Sequence, residues 1–368
     1  MALDYSFSEE HDELRATVRA FLEEKSDETA VREHMASERG FAPQVWEQLA
    51  EQMGLAGLII PEEHGGAGMS YVELLVVMEE MGRSLLCAPF LGSAVFAANA
   101  VLACANEPTQ KEVLAGIAAG KLLATVAHLE PGRRWDLDAI ELQAKDGTLT
   151  GSKTAVLDGH TADVIFVVAR TDAGLGLFRV DADAAGMTRT PIPELDLTRQ
   201  LARIDFAGTP ATEVSQGDQT AALERVLGLT VAALAAEQAG GAQACLEQAT
   251  DYAKTRLQFG RPIGSYQGIK HKCADMLVEV EFAKSAAYNA CFAAAEGADD
   301  FLETAALAKA YCSEAYFHAA ANNIQIHGGM GFTWEHPAHL YFKRAKASEL
   351  LFGDAAHHRE VLAGKLGL

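Results

Sequence analysis

Residues 252–263 read YAKTRLQFGRPI, and this stretch, together with QIHGGMGF at residues 325–332, decides the fold of the chain. Gln267 and the triplet ADM at residues 274–276 follow the first stretch, and EHP at residues 335–337 follows the second. The sequence around both is helical in its apolar period. It predicts long helices over residues 230–255, 267–295 and 301–323, and a short helix near 355–365.

The helix that leads into the first stretch is rich in alanine and contains Gly240-Gly241. Two glycines in a helix interior cost roughly 1–2 kcal/mol relative to two alanines. Small residues on every side of a helix are typical of one that packs closely on several neighbours. We therefore expect close approach of other helices at these glycines to compensate for the cost.

Outward from this helical region, the character of the sequence changes twice. Residues 1 to about 118 have a helical apolar repeat, whereas about 121 to 215 contain short apolar runs separated by turn signals such as Asp146-Gly147. Strands are predicted at 140–144, 164–169, 176–180 and 198–206. The sequence thus predicts an α+β protein with a helical domain at 1–118, a small β-barrel or sandwich at 119–215 and a helical bundle at 216–368.

The overall composition excludes several classes of protein. The formal net charge is −21, which disfavours binding to nucleic acid. The N-terminal sequence has no apolar segment typical of a signal peptide, and no run of 18 apolar residues occurs. The six cysteines include no CxxC pair, so we expect reduced, buried thiols in a cytoplasmic protein without a membrane span.

The order of helices, β domain and helices, with the two stretches in the last part, resembles the acyl-CoA dehydrogenase family. The resemblance covers nearly the whole chain and implies an N-terminal helical domain, a middle β domain and a C-terminal four-helix bundle. In that family FAD lies across a subunit interface, and these motifs hold the adenosine and diphosphate half of a neighbouring subunit's FAD. The resemblance implies this cofactor role for Arg256, Gln258, Phe259, Gln267, Gln325, Gly328 and Gly329.

Polar side chains that face the flavin ring in the family are lost at matching positions here. The family pattern Thr-Glu-Pro-Gly-x-Gly-Ser-Asp aligns with residues 129–136, LEPGRRWD, which puts Leu129 at the threonine and Trp135 at the serine. The family pattern Lys-x-Trp-Ile-Thr-Asn aligns with residues 153–158, where Ala155 replaces tryptophan and Leu157 replaces threonine. Leucine offers no hydrogen bond to a flavin.

The glutamate that serves as the family's catalytic base is also missing. Its common position falls on Phe352 and its rarer position on Thr230, and neither side chain can remove an α-proton. Asp354 and Glu237 are the nearby carboxylates and remain weak candidates for the base. The structural alternatives are that Asp354 caps the last helix and that Glu237 is a buried hydrogen-bonding partner.

Two functional hypotheses follow from the resemblance. In the first, the chain is a non-catalytic subunit that completes the FAD site of a homologous catalytic subunit in an α2β2 complex. Such complexes occur among actinobacterial members that shorten steroid side chains, and residues 350–359 are similar to that subgroup. In the second, the chain is a self-sufficient homo-oligomeric enzyme with an atypical base. Both imply an acyl-CoA substrate, and family analogy adds an electron-transfer flavoprotein as electron acceptor.

The histidines suggest a metal enzyme as a further class, which the sequence disfavours. His327, His336, His339, His357 and His358 lie near one another in sequence, but no HExxH motif is present. Pro337 would also break a helix that carried ligands at this point. The sequence therefore predicts no metal site.

Overall fold

A computed structural model describes residues 6–132 and 134–368. Met1–Tyr5 and Arg133, which belong to segments interpreted above, lie outside the described residues. Within the described part, the α-helices are α1 Glu9–Lys25, α2 Glu28–Ala36, α3 Pro43–Glu47, α4 Tyr71–Arg83, α5 Ala98–Cys104, α6 Glu107–Ala118, α7 Thr220–Thr255, α8 Gln267–Glu296, α9 Phe301–His327, α10 Ala338–Leu350 and α11 Ala355–Lys365. Short π-helical segments at Gln48–Gln52 and Phe90–Ala97 continue into or out of these helices.

The strands form two four-stranded sheets in the β region and one small hairpin between α7 and α8. The strands are β1 Ala124–Ala127, β2 Ala144–Lys145, β3 Thr148–Leu157, β4 Val164–Thr171, β5 Gly174–Asp181, β6 Met187–Pro191, β7 Leu201–Pro210, β8 Thr212–Glu213, β9 Leu257–Gln258 and β10 Arg261–Pro262. The sheet orders are β1-β4-β5-β8 and β2-β3-β7-β6, and β9 pairs with β10. Pairing is antiparallel except between β1 and β4.

The two four-stranded sheets share one apolar core, to which Ile165 and Phe178 contribute from one sheet and Ile204 and Phe206 from the other. The β region is therefore a sandwich, which is one of the two architectures predicted for it. The strand predicted at 140–144 is largely irregular, because the Glu130 carboxylate accepts the backbone N–H groups of Glu141 and Leu142 at 3.0 and 2.9 Å. Those amides are therefore not available to a sheet.

The described chain divides into two compact units. One comprises the residues up to Glu33, Tyr71–Leu86 and Val231–Leu368, and the other comprises His34–Ser70 and Cys87–Thr230. The first unit is helical and contains both motif stretches. The second contains the two four-stranded sheets. Among the described residues, no helix is both long enough and apolar enough to cross a membrane.

In the helical unit, α7 packs by backbone contact, as its glycines predicted. A Cβ atom on Gly240 would lie 1.8 Å from the carbonyl oxygen of Glu79 on α4, and one on Gly241 would lie 2.4 Å from the ring of Tyr316 on α9. No real Cβ atom tolerates such distances. The expected close approach of other helices at the Gly-Gly pair is confirmed.

Candidate functional site

The first motif forms a tight hairpin at the end of α7. β9 and β10 pair antiparallel, with Arg261 opposite Gln258. The two turn residues, Phe259 and Gly260, both have positive φ, 52° and 80°, which is the backbone of a type I′ turn. Phe259 stands at the tip and is 93% exposed.

The polar side chains of this hairpin and its flank divide into two groups. Arg261 lies over the Tyr266 ring at 4.0 Å, and the Tyr266 hydroxyl donates to the Gln258 carbonyl oxygen at 3.0 Å, so these groups fix the hairpin itself. Arg256 is exposed, and its guanidinium has no ion pair or hydrogen bond with any described residue. The same holds for the side chains of Gln258, Gln267 and Gln325.

The second motif is a glycine turn that ends α9. Gly328 has φ 62° and ψ −138°, a backbone conformation that in practice only glycine adopts. Gly329 has φ −56° and ψ −33°, which any residue could adopt. A Cβ atom on either glycine would have no neighbour within 4 Å among the described residues. The lack of a side chain at Gly329 is therefore explained neither by backbone strain nor by packing inside the chain.

Two contacts hold the two motifs together. The Asn323 amide donates to the side chain of Gln248 at 2.9 Å. One helical turn further on, Tyr252 of α7 stacks on His327 of α9, with ring centroids 4.3 Å apart and an interplanar angle of 27°. The hairpin begins shortly after Tyr252, and the glycine turn begins directly after His327. The structure therefore brings the two predicted segments to one end of the α7–α9 pair.

The sequence around the hairpin is positively charged, although the chain as a whole is acidic. Residues 252–274 contain the five cations Lys254, Arg256, Arg261, Lys270 and Lys272 and no Asp or Glu, in a chain of net charge −21. Lys254 pairs with Asp251 at 3.2 Å, and Lys272 donates to Asn322 at 3.0 Å. The positive charge of this segment would attract an anionic ligand such as a diphosphate.

In the β unit, the positions that align with the family's flavin contacts make contacts within the chain itself. Leu157 is buried, and its carbonyl oxygen accepts from the Thr125 hydroxyl at 2.6 Å. Trp135 packs on His128, with ring centroids 5.5 Å apart. The backbone N–H of Thr154 donates to the carbonyl oxygen of Leu129 at 2.8 Å. At the threonine positions of the two family patterns, this chain has Leu129 and Leu157, which carry no hydroxyl group that could hydrogen-bond a flavin.

Beside these residues lies a buried ion pair. Lys153 is fully buried and donates to the Glu130 carboxylate and to the His128 carbonyl oxygen, both at 2.9 Å. Burial lowers the pKa of Lys153 to about 8, while the hydrogen bond to Glu130 opposes that shift. Burial and the Lys153 charge lower the pKa of His128 to about 3. His128 is therefore neutral at physiological pH and cannot supply a positive charge to a ligand.

The positions of the family base carry no carboxylate. Phe352 is buried and has φ 60°, so its backbone adopts a left-handed conformation. The Thr230 hydroxyl donates to the carbonyl oxygen of Val226 at 2.8 Å, inside its own helix.

Both weak candidates for the base have structural partners. Asp354 is the N-cap of α11, and its carboxylate accepts the backbone N–H of His357 at 2.8 Å. Glu237 is buried and pairs with the buried Arg344 at 3.0 Å. These are the two structural alternatives expected from the sequence. A carboxylate held by a buried guanidinium is a poor proton acceptor, because the ion pair stabilises its charged form.

Comparison with known proteins identifies the fold and the family. The family models for the acyl-CoA dehydrogenase N-terminal and C-terminal domains match residues 8–121 and 220–367. Over 355 residues, the chain is 37% identical to the acyl-CoA dehydrogenase IpdE2 of Mycobacterium tuberculosis, covering 96% of this chain and 95% of that protein. The chain belongs to the acyl-CoA dehydrogenase family.

Solved structures of acyl-CoA dehydrogenases agree with this assignment. The chain matches the ChsE4-ChsE5 complex from Mycobacterium tuberculosis with a TM-score of 0.91 and 27% identity, over 99% of each chain. It matches a steroid acyl-CoA dehydrogenase variant, Tcur3481-Tcur3483, with a TM-score of 0.88 and 29% identity, over 98% of each chain. The predicted α+β architecture with helical, β and helical parts is confirmed.

The acyl-CoA dehydrogenase family consists of FAD-dependent oxidoreductases, so the residues can be tested against that cofactor. The diphosphate end fits, because Arg256 is exposed without a partner among the described residues and the glycine turn leaves room for close approach. The flavin end does not fit, because Leu129 and Leu157 offer no side-chain hydrogen bond there.

Sequence reasoning missed the stack that joins the two motifs. In the sequence, His327 is one of several clustered histidines and Tyr252 is one residue of a motif. Their contact depends on how α7 and α9 pack, which no spacing in the sequence encodes. The one available signal was the position of His327 directly before the glycine turn.

Proposed function

We propose that this chain is the non-catalytic subunit of a heteromeric acyl-CoA dehydrogenase. In this proposal it completes the adenosine and diphosphate half of the FAD site of a homologous catalytic subunit, within an α2β2 complex. The reaction is the α,β-desaturation of an acyl-CoA thioester. When bound, FAD supplies the acceptor for the hydride that leaves the β-carbon.

One observation carries the proposal. The side chains of Arg256, Gln258, Gln267 and Gln325 are exposed and have no polar partner within residues 6–132 and 134–368. Retaining an exposed hairpin with Phe259 at its tip has no benefit for this chain by itself, since exposed aromatic surface is a liability. The benefit arises when a cofactor and a second chain cover it.

The loss of the other half of the site supports the same proposal. A self-sufficient enzyme needs a base over the substrate α-carbon and hydrogen bonds to the flavin ring. Phe352 and Thr230 stand at the two base positions, and Leu157 is buried where the family has a hydroxyl residue. The catalytic partner supplies these groups in the proposed complex.

In this division of labour the residues of the chain bind and orient the cofactor. Arg256 would hold the diphosphate by charge-assisted hydrogen bonds, and Phe259 would contribute an aromatic surface beside the dinucleotide. Gln258, Gln267 and Gln325 provide amide donors and acceptors, while Gly328 and Gly329 admit the close approach of phosphate or ribose.

The relatives support the heteromeric form and the class of substrate. Two of the matched solved structures are named as pairs of chains, and one of these is a steroid acyl-CoA dehydrogenase. We extend this to a steroid-derived or fatty acyl-CoA as substrate. An electron-transfer flavoprotein is the proposed acceptor of the electrons.

The substitution Arg256→Ala in the purified complex tests the proposal. Loss of a charge-assisted hydrogen bond removes about 1.5–3 kcal/mol of binding free energy, so FAD should bind roughly 10-fold to 100-fold more weakly. Isothermal titration of the FAD-stripped complex measures this change. Arg203→Ala is the matched control, because Arg203 is an exposed arginine of β7 that pairs with Asp205 at 2.7 Å. Equal FAD affinity in both variants would contradict the proposal.

A further inference from the structure

Three aromatic rings lie in contact, one after another, next to the proposed cofactor-binding segments. Tyr252 stacks on His327 with centroids 4.3 Å apart, and His327 in turn contacts His336 with centroids 4.2 Å apart. Tyr252 leads into the Arg256 hairpin, and His327 is the last residue of α9 before the glycine turn. His327 therefore touches both the helix that carries the hairpin and the segment after the glycine turn.

Backbone hydrogen bonds define how the two imidazoles are held. His327 Nδ1 lies 2.9 Å from the Asn323 carbonyl oxygen, so it carries a hydrogen and donates. The Nδ1 atom of His336 accepts the backbone N–H of Ala338 at 3.2 Å, so it carries no hydrogen. Protonating His336 at Nδ1 would break this bond at the start of α10. It would also place a positive charge against the ring of His327.

We propose that His327 is a positioning residue that keeps the two cofactor-binding segments together, and that protonation of the His327–His336 pair opens this contact and releases FAD from the complex. The inference rests on the proposed function, because it concerns the same diphosphate-binding segments. It adds a dependence on acidity that neither motif contains by itself.

The charged and titratable surroundings of the pair set the direction of the effect. Burial lowers the pKa of His327, and the hydrogen bond to Asn323 opposes that shift. Burial also lowers the pKa of His336. The charges of His327, His339 and Arg32 lower this pKa further, while the charge of Glu28 raises it. His339 likewise has a pKa lowered by burial, with Lys343 and Arg32 acting in the same direction.

The sign of the pH dependence follows from these shifts. Both rings are neutral in the closed stack, whereas opened histidines titrate near 6.5. As the pH falls below about 6.5, the opened state binds protons before the closed state does, so acid favours opening. Above that pH neither state is protonated at these rings, and the contact keeps its full strength.

The experiment measures the affinity of the purified complex for FAD between about pH 7.5 and pH 5, from the fluorescence of released flavin. The wild type should bind FAD at least ~10-fold more weakly at the acidic end of this range. His336→Phe keeps an aromatic ring in the stack and leaves His327 as the remaining titrating ring of the pair, so its affinity should fall at least ~3-fold less than that of the wild type over the same range. His318→Gln is the matched control, since His318 is an exposed histidine of α9, and it should follow the wild type.

A second variant covers the case in which His336→Phe does not fold, as judged by circular dichroism. His336→Gln retains an acceptor for the Ala338 N–H and removes the same titrating group, so it should also lose less FAD affinity than the wild type at the acidic end. A wild type that holds FAD equally at both pH values, or His336 variants that lose FAD in parallel with it, would overturn the inference. The proposed function fails on a different result, which is unchanged FAD affinity of Arg256→Ala at neutral pH.

Discussion

Gly240 of α7 and Glu79 of α4 meet through their backbones, and a Cβ atom on Gly240 would lie 1.8 Å from the Glu79 carbonyl oxygen. The contact is reciprocal, because a Cβ atom on Gly82 would lie 1.9 Å from the carbonyl oxygen of Glu237. Two glycines, one on each helix, thus allow the crossing. Next to this crossing, Glu237 of α7 pairs with the buried Arg344 of α10 at 3.0 Å.

Gly240→Ala should destabilise the chain by about 1–3 kcal/mol, because the added methyl group forces α4 and α7 apart. This loss exceeds the gain in helix propensity, which is about 1 kcal/mol. Gly364→Ala is the matched control: Gly364 lies in α11, and a Cβ atom there would have no described neighbour within 4 Å. It should be neutral or stabilising. Urea unfolding measures both, and equal midpoints would refute close packing at Gly240.

Lys309 is a fully buried amine that connects three segments of the helical unit. Its amino group donates to the Ser313 hydroxyl at 3.0 Å, to the Glu349 carbonyl oxygen at 2.9 Å and to the Gly353 carbonyl oxygen at 3.0 Å. It therefore fastens the end of α10 and the loop before α11 to α9. Burial lowers the pKa of Lys309 to about 7, and the charge of Glu349 opposes that shift.

Lys309 should make the chain more stable as the pH rises from about 7 towards 10.5. In this range the unfolded chain holds a proton on Lys309 that the folded chain lacks, so stability increases by up to about 1.4 kcal/mol per pH unit. Urea unfolding at about pH 7 and pH 9 measures the slope. Lys309→Met should reduce the slope by this amount, whatever its absolute stability, while the exposed Lys365→Met should leave it unchanged. A slope that Lys309→Met does not alter would show that the buried amine stays charged.

Local patterns in the sequence were sufficient for much of the fold. The Gly240-Gly241 pair predicted close helix packing because glycine in a helix is costly without such a contact, and the structure has no room for a Cβ atom at either position. The role of Asp354 as a helix cap could also be predicted from the sequence, since capping depends on residues close in sequence. The irregular backbone at 140–144 could not be predicted, because the Glu130 carboxylate that accepts its backbone N–H groups lies in a separate segment of the sequence.

The motifs of the candidate site can be read from the sequence, whereas the long-range contacts that hold them in place cannot. Arg256, Gly328 and Gly329 stand out because their residue types match a known pattern. The stack of Tyr252, His327 and His336 and the burial of Lys309 arise from long-range packing in the helical unit. Such contacts leave no periodicity or spacing in the sequence.

The central claim is that this chain completes a cofactor site for another chain and does not build one for itself. The most direct measurement is the visible flavin spectrum of the chain purified alone, compared with the chain co-expressed with a catalytic acyl-CoA dehydrogenase partner. The account predicts a colourless protein alone and a yellow complex with about one FAD per heterodimer. A yellow chain that oxidises acyl-CoA by itself would contradict the account, and Asp354 and Glu237 would then be tested as its base.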